Sequence, residues 1–261
     1  MRMRDNSVIS KANPGPCRKG SICSLFVLSI LPLVFLFPDP ASAQAQDDTS
    51  TYCDYVNFPA PIERWTFRPL VGLSLTILPQ ILVEDELRQT PLLRGSVRYG
   101  LPLNFSLTGT LSTNVITNLI EAEARWDVQL NRFAFGLSHR IGWWYGFSPI
   151  EGFDITASSW VHFPGVSAGV RIRDFYLSAR VEAQLVTSLE IQTDGIQTNS
   201  DEDFVAGYAF GLNLEQPFWG ETDVALGLRF NYSRSLYQAW LAFNSFNEPL
   251  IYPEFTAGFL F

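Results

Sequence analysis

Asn118-Leu119-Ile120-Glu121-Ala122-Glu123-Ala124-Arg125-Trp126-Asp127-Val128-Gln129 puts Ile120, Ala122, Ala124, Trp126 and Val128 on one parity. Glu121, Glu123, Arg125, Asp127 and Gln129 fall on the other. In an extended chain successive side chains point to opposite faces, so this run reads as a strand with one face fit for hydrocarbon and one that is not. It is longer than the usual strand of about 5–6 residues in a soluble domain. It meets the roughly 9–11 residues a tilted strand needs to cross a bilayer. Leu130-Asn131 then reads as a tight turn.

The same unit repeats in both directions. Alternating runs fall at about 66–78, 93–101, 104–113, 118–129, 132–147, 158–172, 175–191, 204–215, 222–240 and 251–261. Links after the second, fourth, sixth and eighth runs are short, and those after the first, fifth and seventh are longer and more polar. That alternation suits short periplasmic turns and longer external loops, here 148–157 and 193–203. The fold class expected is all-β: a transmembrane antiparallel up-and-down β-barrel of about ten strands, with eight to twelve allowed. Alternation alone does not separate inside from outside, and a soluble barrel or sandwich would invert the two faces. Aromatic residues gather near the run ends: Trp143, Trp144, Tyr145, Trp160, Tyr237 and Trp240 at one side, and Phe105, Phe133, Phe175, Phe218 and Trp219 at the other. Two such girdles belong at two membrane interfaces. In the seventh run Leu189 shares the apolar parity, and Ser188 and Glu190 the polar one. His139 breaks the pattern of the fifth run, which predicts a bulge or a rim position there.

The N-terminus supports export. Arg2, Arg4, Lys11, Arg18 and Lys19 precede an apolar run from Leu25 to Phe37, and Ala41-Ser42-Ala43 offers a small-x-small cleavage site. This predicts a signal peptide over 1–43, a periplasmic lead-in or lumen-tucked segment over 44–64, and a barrel over 65–261. After residue 43 the chain keeps 13 basic and 24 acidic residues, a net charge of −11, and every cation is an arginine. This balance argues against nucleic acid as a partner. Cys53 is the only cysteine left after cleavage, so no disulfide forms within the mature chain.

The last stretch, Ile251-Tyr252-Pro253-Glu254-Phe255-Thr256-Ala257-Gly258-Phe259-Leu260-Phe261, alternates again and stops on an aromatic residue. In this it resembles bacterial outer-membrane β-barrels. The resemblance implies outer-membrane lipid as surroundings. It also implies recognition by the barrel-assembly machinery through Phe255, Phe259 and Phe261.

Ten strands leave a lumen that charged side chains can fill. The polar parity places Arg98, Glu121, Glu123, Arg125, Asp127, Arg140, Arg171, Arg180, Glu182 and Arg229 there, with Arg68, Glu215, Asp223 and Glu254 beside them. The turn at 130–131 sets Glu121 against Arg140, or Glu123 if the turn is looser. Similar spacing brings Arg98 near Ser106 and Arg180 near Ser167. Buried charges are tolerable when paired. Two readings of this network follow: a structural salt-bridge core, or a narrow passive path for small solutes or ions. The alternative is a surface enzyme or a ligand- or adhesion-binding barrel acting through the external loops. Ten strands resemble the omptin proteases in size, and their aspartate and Asp-His pairs would need partners for His162, with Asp154 within loop reach. No second acidic pair is placed opposite. The lipid-facing His with a Ser two residues on, used by lipid A deacylases, is absent, since Arg140-Ile141 follows His139. No catalytic residue, metal or cofactor is expected.

Overall fold

The computed structural model describes residues 55–81, 89–150, 153–193, 196–200, 204–219, 222–240 and 245–261. Residues 1–54, with the expected signal segment and Cys53, lie outside them. Eleven strands follow in order: β1 (Phe67–Ile77), β2 (Gln89–Gly100), β3 (Phe105–Thr113), β4 (Thr117–Leu130), β5 (Phe133–Ile150), β6 (Phe153–Ile172), β7 (Phe175–Thr193), β8 (Ile196–Ser200), β9 (Val205–Trp219), β10 (Thr222–Ser235) and β11 (Ser245–Leu260). Each long strand pairs antiparallel with its neighbours. β1 pairs with β11, and the ring closes. Ten strands form the wall, and short β8 only extends the β7 hairpin.

Which face is inside is now decided. Arg98, Glu121, Glu123, Arg125, Asp127, Arg140, Glu182 and Glu215 are buried, whereas Val71, Leu73, Ile120, Phe135, Leu137, Val166, Phe210, Phe255 and Phe259 are exposed. A soluble barrel would do the opposite. Polar inside and apolar outside over strands this long is the membrane solution, because a closed barrel satisfies every wall hydrogen bond without water.

Turns alternate with loops around the ring. At the turn end, β4 passes to β5 through Asn131-Arg132, with Asn131 at φ 59°, and β6 to β7 through Arg173-Asp174, with Arg173 at φ 56°. Asn is among the residues that accept this left-handed conformation most readily. At the loop end the wall is uneven: β5, β6 and β7 run to 18, 20 and 19 residues, whereas β3 has 9. Most of the expected loop 148–157 is strand, because β5 and β6 pair all the way to Ile150↔Phe153.

In β7 a facing departs from the expected alternation, and in β5 an expected irregularity is absent. The β6–β7 register slips where Trp160 pairs with Ser188 but Val161 with Val186. Thr187 is the extra residue, and beyond it the inward parity changes, so that Val186 and Leu189 are both buried while Glu190 is exposed. Around His139, by contrast, β5 pairs regularly with both neighbours. His139 therefore faces outward from a plain strand, with no bulge and away from the rim.

Candidate functional site

The lumen is filled in three layers. At the turn end, residues 55–62 lie inside the barrel, with Tyr55, Val56, Phe58, Ala60 and Ile62 buried. Pro59 and Pro61 remove two backbone N–H groups that burial would otherwise leave to satisfy. Ala60 N–H donates to Phe58 O at 2.9 Å, and three others find a wall carboxylate. Glu215 accepts from the backbone N–H of Val56 at 3.1 Å, Asn57 at 3.0 Å and Phe58 at 2.8 Å. Arg98 donates to the carbonyls of Tyr55 and Ala60, each at 2.8 Å. Arg125 donates to the carbonyls of Val56 and Phe58, each at 3.1 Å. Asp127 holds both guanidiniums, at 2.6 Å from Arg98 and 3.0 Å from Arg125. The segment also packs by shape. Phe58 meets the Tyr176 ring edge-on at 5.1 Å. Gly169 and Gly136 leave the room, since a Cβ at the first would run into Phe58 and Pro59, and at the second into Asp127, Ser167 and Pro59.

The middle layer is an ion network. Glu182 binds Arg140 at 2.8 Å, Arg180 at 3.0 Å and Arg229 at 3.0 Å. Arg140 also reaches Glu121 at 2.9 Å. Arg180 pairs with Glu123 and donates to Ser138 Oγ at 2.7 Å. Glu254 accepts from Ser74 Oγ at 2.6 Å. The guanidinium carbons of Arg140 and Arg229 lie 4.4 and 5.4 Å from the Phe163 ring centroid, which joins this layer to the next.

The loop-end layer is apolar. Leu119, Trp144, Val161, Phe163, Leu189 and Trp240 pack together within the barrel. Trp240 anchors it by donating Nε1–H to Thr117 Oγ1 at 2.9 Å. Between the layers lies a cavity of about 100 Å³, lined by Arg94, Arg140, Arg180 and Arg229 among others. A smaller one of about 30 Å³ touches Trp144, Tyr237 and Tyr252. These volumes hold a few waters.

The structure brings together nine of the ten expected lumen residues: Arg98, Arg125 and Asp127 in the turn-end layer, and Glu121, Glu123, Arg140, Arg180, Glu182 and Arg229 in the middle one. Arg171 stands apart. It keeps the inward parity but is exposed at the turn-end mouth, donating to Arg173 O at 3.2 Å and lying 5.3 Å from the Tyr176 ring. Phe255, Phe259 and Phe261 are exposed on the outer side.

Sequence reasoning missed Arg94, which shares the inward parity of Ser96 and Arg98 and lines both cavities. Counting it, the layers hold six arginines (Arg94, Arg98, Arg125, Arg140, Arg180, Arg229) against six carboxylates (Glu121, Glu123, Asp127, Glu182, Glu215, Glu254). Trp144, Tyr237 and Trp240, expected in the girdle, instead line or fill the lumen. For Trp144 the signal was present, since it follows outward Trp143 and so takes the opposite parity.

The two histidines meet on the outer wall: His139 Nε2 and His162 Nδ1 are 3.2 Å apart. Asp154 lies eight residues along β6 from His162, about 26 Å at the strand rise of about 3.3 Å per residue. Among the described residues no group of three or more His, Cys, Asp or Glu is placed to hold a metal ion.

No family model matches the chain, and no curated protein sequence matches it. Solved structures do resemble it in fold. The outer membrane protease OmpT from Escherichia coli aligns with a TM-score of 0.45 at 11% identity, over 75% of this chain and 96% of that one. The translocator domain of the autotransporter NalP from Neisseria meningitidis aligns at 0.39 and 10% identity, over 75% and 88%. An outer membrane channel from Pseudomonas putida F1 aligns at 0.39 and 8% identity, over 80% and 100%. Each likeness is one of fold alone.

Proposed function

We propose that this chain is a non-enzymatic outer-membrane barrel with a closed lumen, a structural element of the envelope rather than an open passage. The observation that carries this reading is the filling of the lumen at three successive levels, with a cavity of about 100 Å³ between them. A sixteen- to eighteen-stranded porin keeps a water channel, whereas small barrels are filled by side chains. Six arginines and six carboxylates within the layers suit a core that neutralises itself. In this reading residues 1–43 direct export, and the assembly machinery reads the strand ending in Phe255, Phe259 and Phe261. The residues 55–62 then enter from the periplasmic side. The test is single-channel conductance of residues 44–261 refolded in a planar bilayer. Electrical silence from a protein that still resists unfolding in detergent is expected. A steady conductance, altered by Glu121→Ala or Arg140→Ala, would sink the closed reading in favour of a narrow pore.

A further inference from the structure

The six arginines and six carboxylates of the layers balance over the whole lumen but not around the cavity of about 100 Å³. Every one of those arginines except Arg98 lines it, whereas among the carboxylates only Glu123, Glu182 and Glu254 do. Asp127 and Glu215 are engaged at the turn end, and Glu121 lies on the smaller cavity. Five cations and three anions therefore bound the cavity, an excess of two positive charges.

The donors on these cations are not all used. Arg94 on β2 is half-buried and lines both cavities, and among the described residues it makes no hydrogen bond or ion pair. The Nε–H groups of Arg140 on β5, Arg180 on β7 and Arg229 on β10 are buried without a hydrogen-bond acceptor, although Glu182 lies 3.0 Å from Arg180 Nε. Arg180 and Arg229 point inward, yet 19% and 21% of their side-chain surface is exposed, and the cavity they line is where that surface opens. A charged donor held away from bulk water without its acceptors is costly.

The wall also leaves room between two of them. Gly211 on β9 lines the cavity and is the cross-strand partner of both Arg180 and Arg229. Cross-strand partners share a face, so a side chain at 211 would point inward with theirs. A Cβ there would meet no atom of the described residues within 4 Å. Directly opposed Cβ atoms stand about 4.5–5.5 Å apart, so the open space over Gly211 lies between the stems of the two arginines.

We propose that this cavity is a binding site for one compact tetrahedral oxyanion of the phosphate class. Arg94, Arg140, Arg180 and Arg229 line it from four strands around the ring, and a tetrahedral ion offers oxygens in several directions at once. A guanidinium fork fits two oxygens of such an ion side by side, which a halide does not supply. A phosphate dianion matches the excess of two charges. The hydroxyls of Ser96, Thr108 and Thr110 line the same space as further donors. The site goes beyond the closed-lumen reading, since it neither needs nor excludes conduction.

The experiment is refolding of residues 44–261 into lipid vesicles with inorganic phosphate replacing chloride at constant ionic strength, followed by urea unfolding. Wild type should gain stability along a saturating curve, and dialysis against labelled phosphate should find about one ion per chain. Phosphate also favours folded states by exclusion from protein surfaces, but that effect does not saturate and is common to every variant. Arg94→Gln should weaken the saturating response about tenfold or more. In chloride the same variant should unfold no more easily than wild type, because Arg94 leaves no carboxylate unpaired. Gly211→Asp sets a carboxylate between Arg180 and Arg229. It should resist unfolding in chloride as well as wild type does in phosphate, and lose the phosphate response. Wild type without a saturating response or retained phosphate overturns the proposal, as does a wild-type response in Arg94→Gln or in folded Gly211→Asp. Arg94→Gln weakened equally in chloride and in phosphate would also overturn it, by making Arg94 a structural residue.

Discussion

Arg98 on β2 and Asp127 on β4 are 2.6 Å apart with neither side chain exposed, although a whole strand separates them in the wall. The pair spans β3 along the inner surface, and its arginine continues to the carbonyls of Tyr55 and Ala60. Wall and inserted segment are therefore one electrostatic unit.

Asp127→Ala should be among the most damaging single changes in the barrel. It leaves Arg98 and Arg125 buried without their shared carboxylate. Breaking a buried pair from one side costs about 3–5 kcal/mol, because a charge remains uncompensated. Urea unfolding in lipid vesicles measures it. A loss below about 1 kcal/mol would mean the two guanidiniums are held by the segment's carbonyls alone.

Glu215→Gln tests the segment from the other side. The carboxylate accepts three backbone N–H groups, and hydrogen bonds to a charged group contribute about 1.5–3 kcal/mol each. The amide has one oxygen to offer and turns an N–H donor toward N–H donors. Amide exchange at Val56 and Phe58 should speed up by about tenfold or more, while exchange in β4 and β5 stays slow. Unchanged exchange at Val56 would show that the segment needs no anchor at Glu215.

At the loop end the close approach is between Gly146 and Trp240. A Cβ on Gly146 would overlap the indole, so Gly146→Ala should drive Trp240 out of the apolar layer and break its bond to Thr117. Tryptophan emission should shift to the red, and aqueous quencher should reach an indole that it does not reach in the wild type. Emission identical to wild type would mean that the ring has room to slide within the layer.

Much of this architecture is legible from period-two alternation, because a wall with lipid on one side and charge on the other leaves each residue little choice of face. Alternation predicts the fourth strand over 118–129, and it spans Thr117–Leu130; it predicts the seventh over 175–191, and it spans Phe175–Thr193. Within the lumen, parity picks out the arginines and carboxylates but not how far a side chain reaches. Arg140 is in register with Glu123, yet it closes on Glu121 one pair further up the strand, while Arg180 takes Glu123. Parity also says nothing about height, which is why Arg171, at the mouth, looked like its inner neighbours. Where alternation failed, the causes are specific. A one-residue bulge turned Leu189 inward, and the outward histidine that seemed a defect has a second histidine beside it on the next strand.

That bulge supplies the last prediction. Across it, Val186 points in, Thr187 and Ser188 do not, and Leu189 points in again. Removing Thr187 leaves Val186, Ser188, Leu189 as plain in-out-in alternation, and so should not reverse any side chain further along β7. The β6 register, Trp160↔Ser188 and Val161↔Val186, becomes continuous on the same change. Only the bond from Thr187 Oγ1 to Trp160 O, at 3.3 Å, is lost. The deletion should therefore cost no more than about 1 kcal/mol, the net worth of one ordinary hydrogen bond. Deleting Ala183 instead, within regular alternation, reverses every residue on one side of the cut, and should prevent folding by turning Glu182 into lipid or Leu185 into the ion network. Unfolding of both variants beside wild type decides the matter. Equal damage from the two deletions would mean that the bulge's twist, rather than the facing of side chains, is what β7 requires.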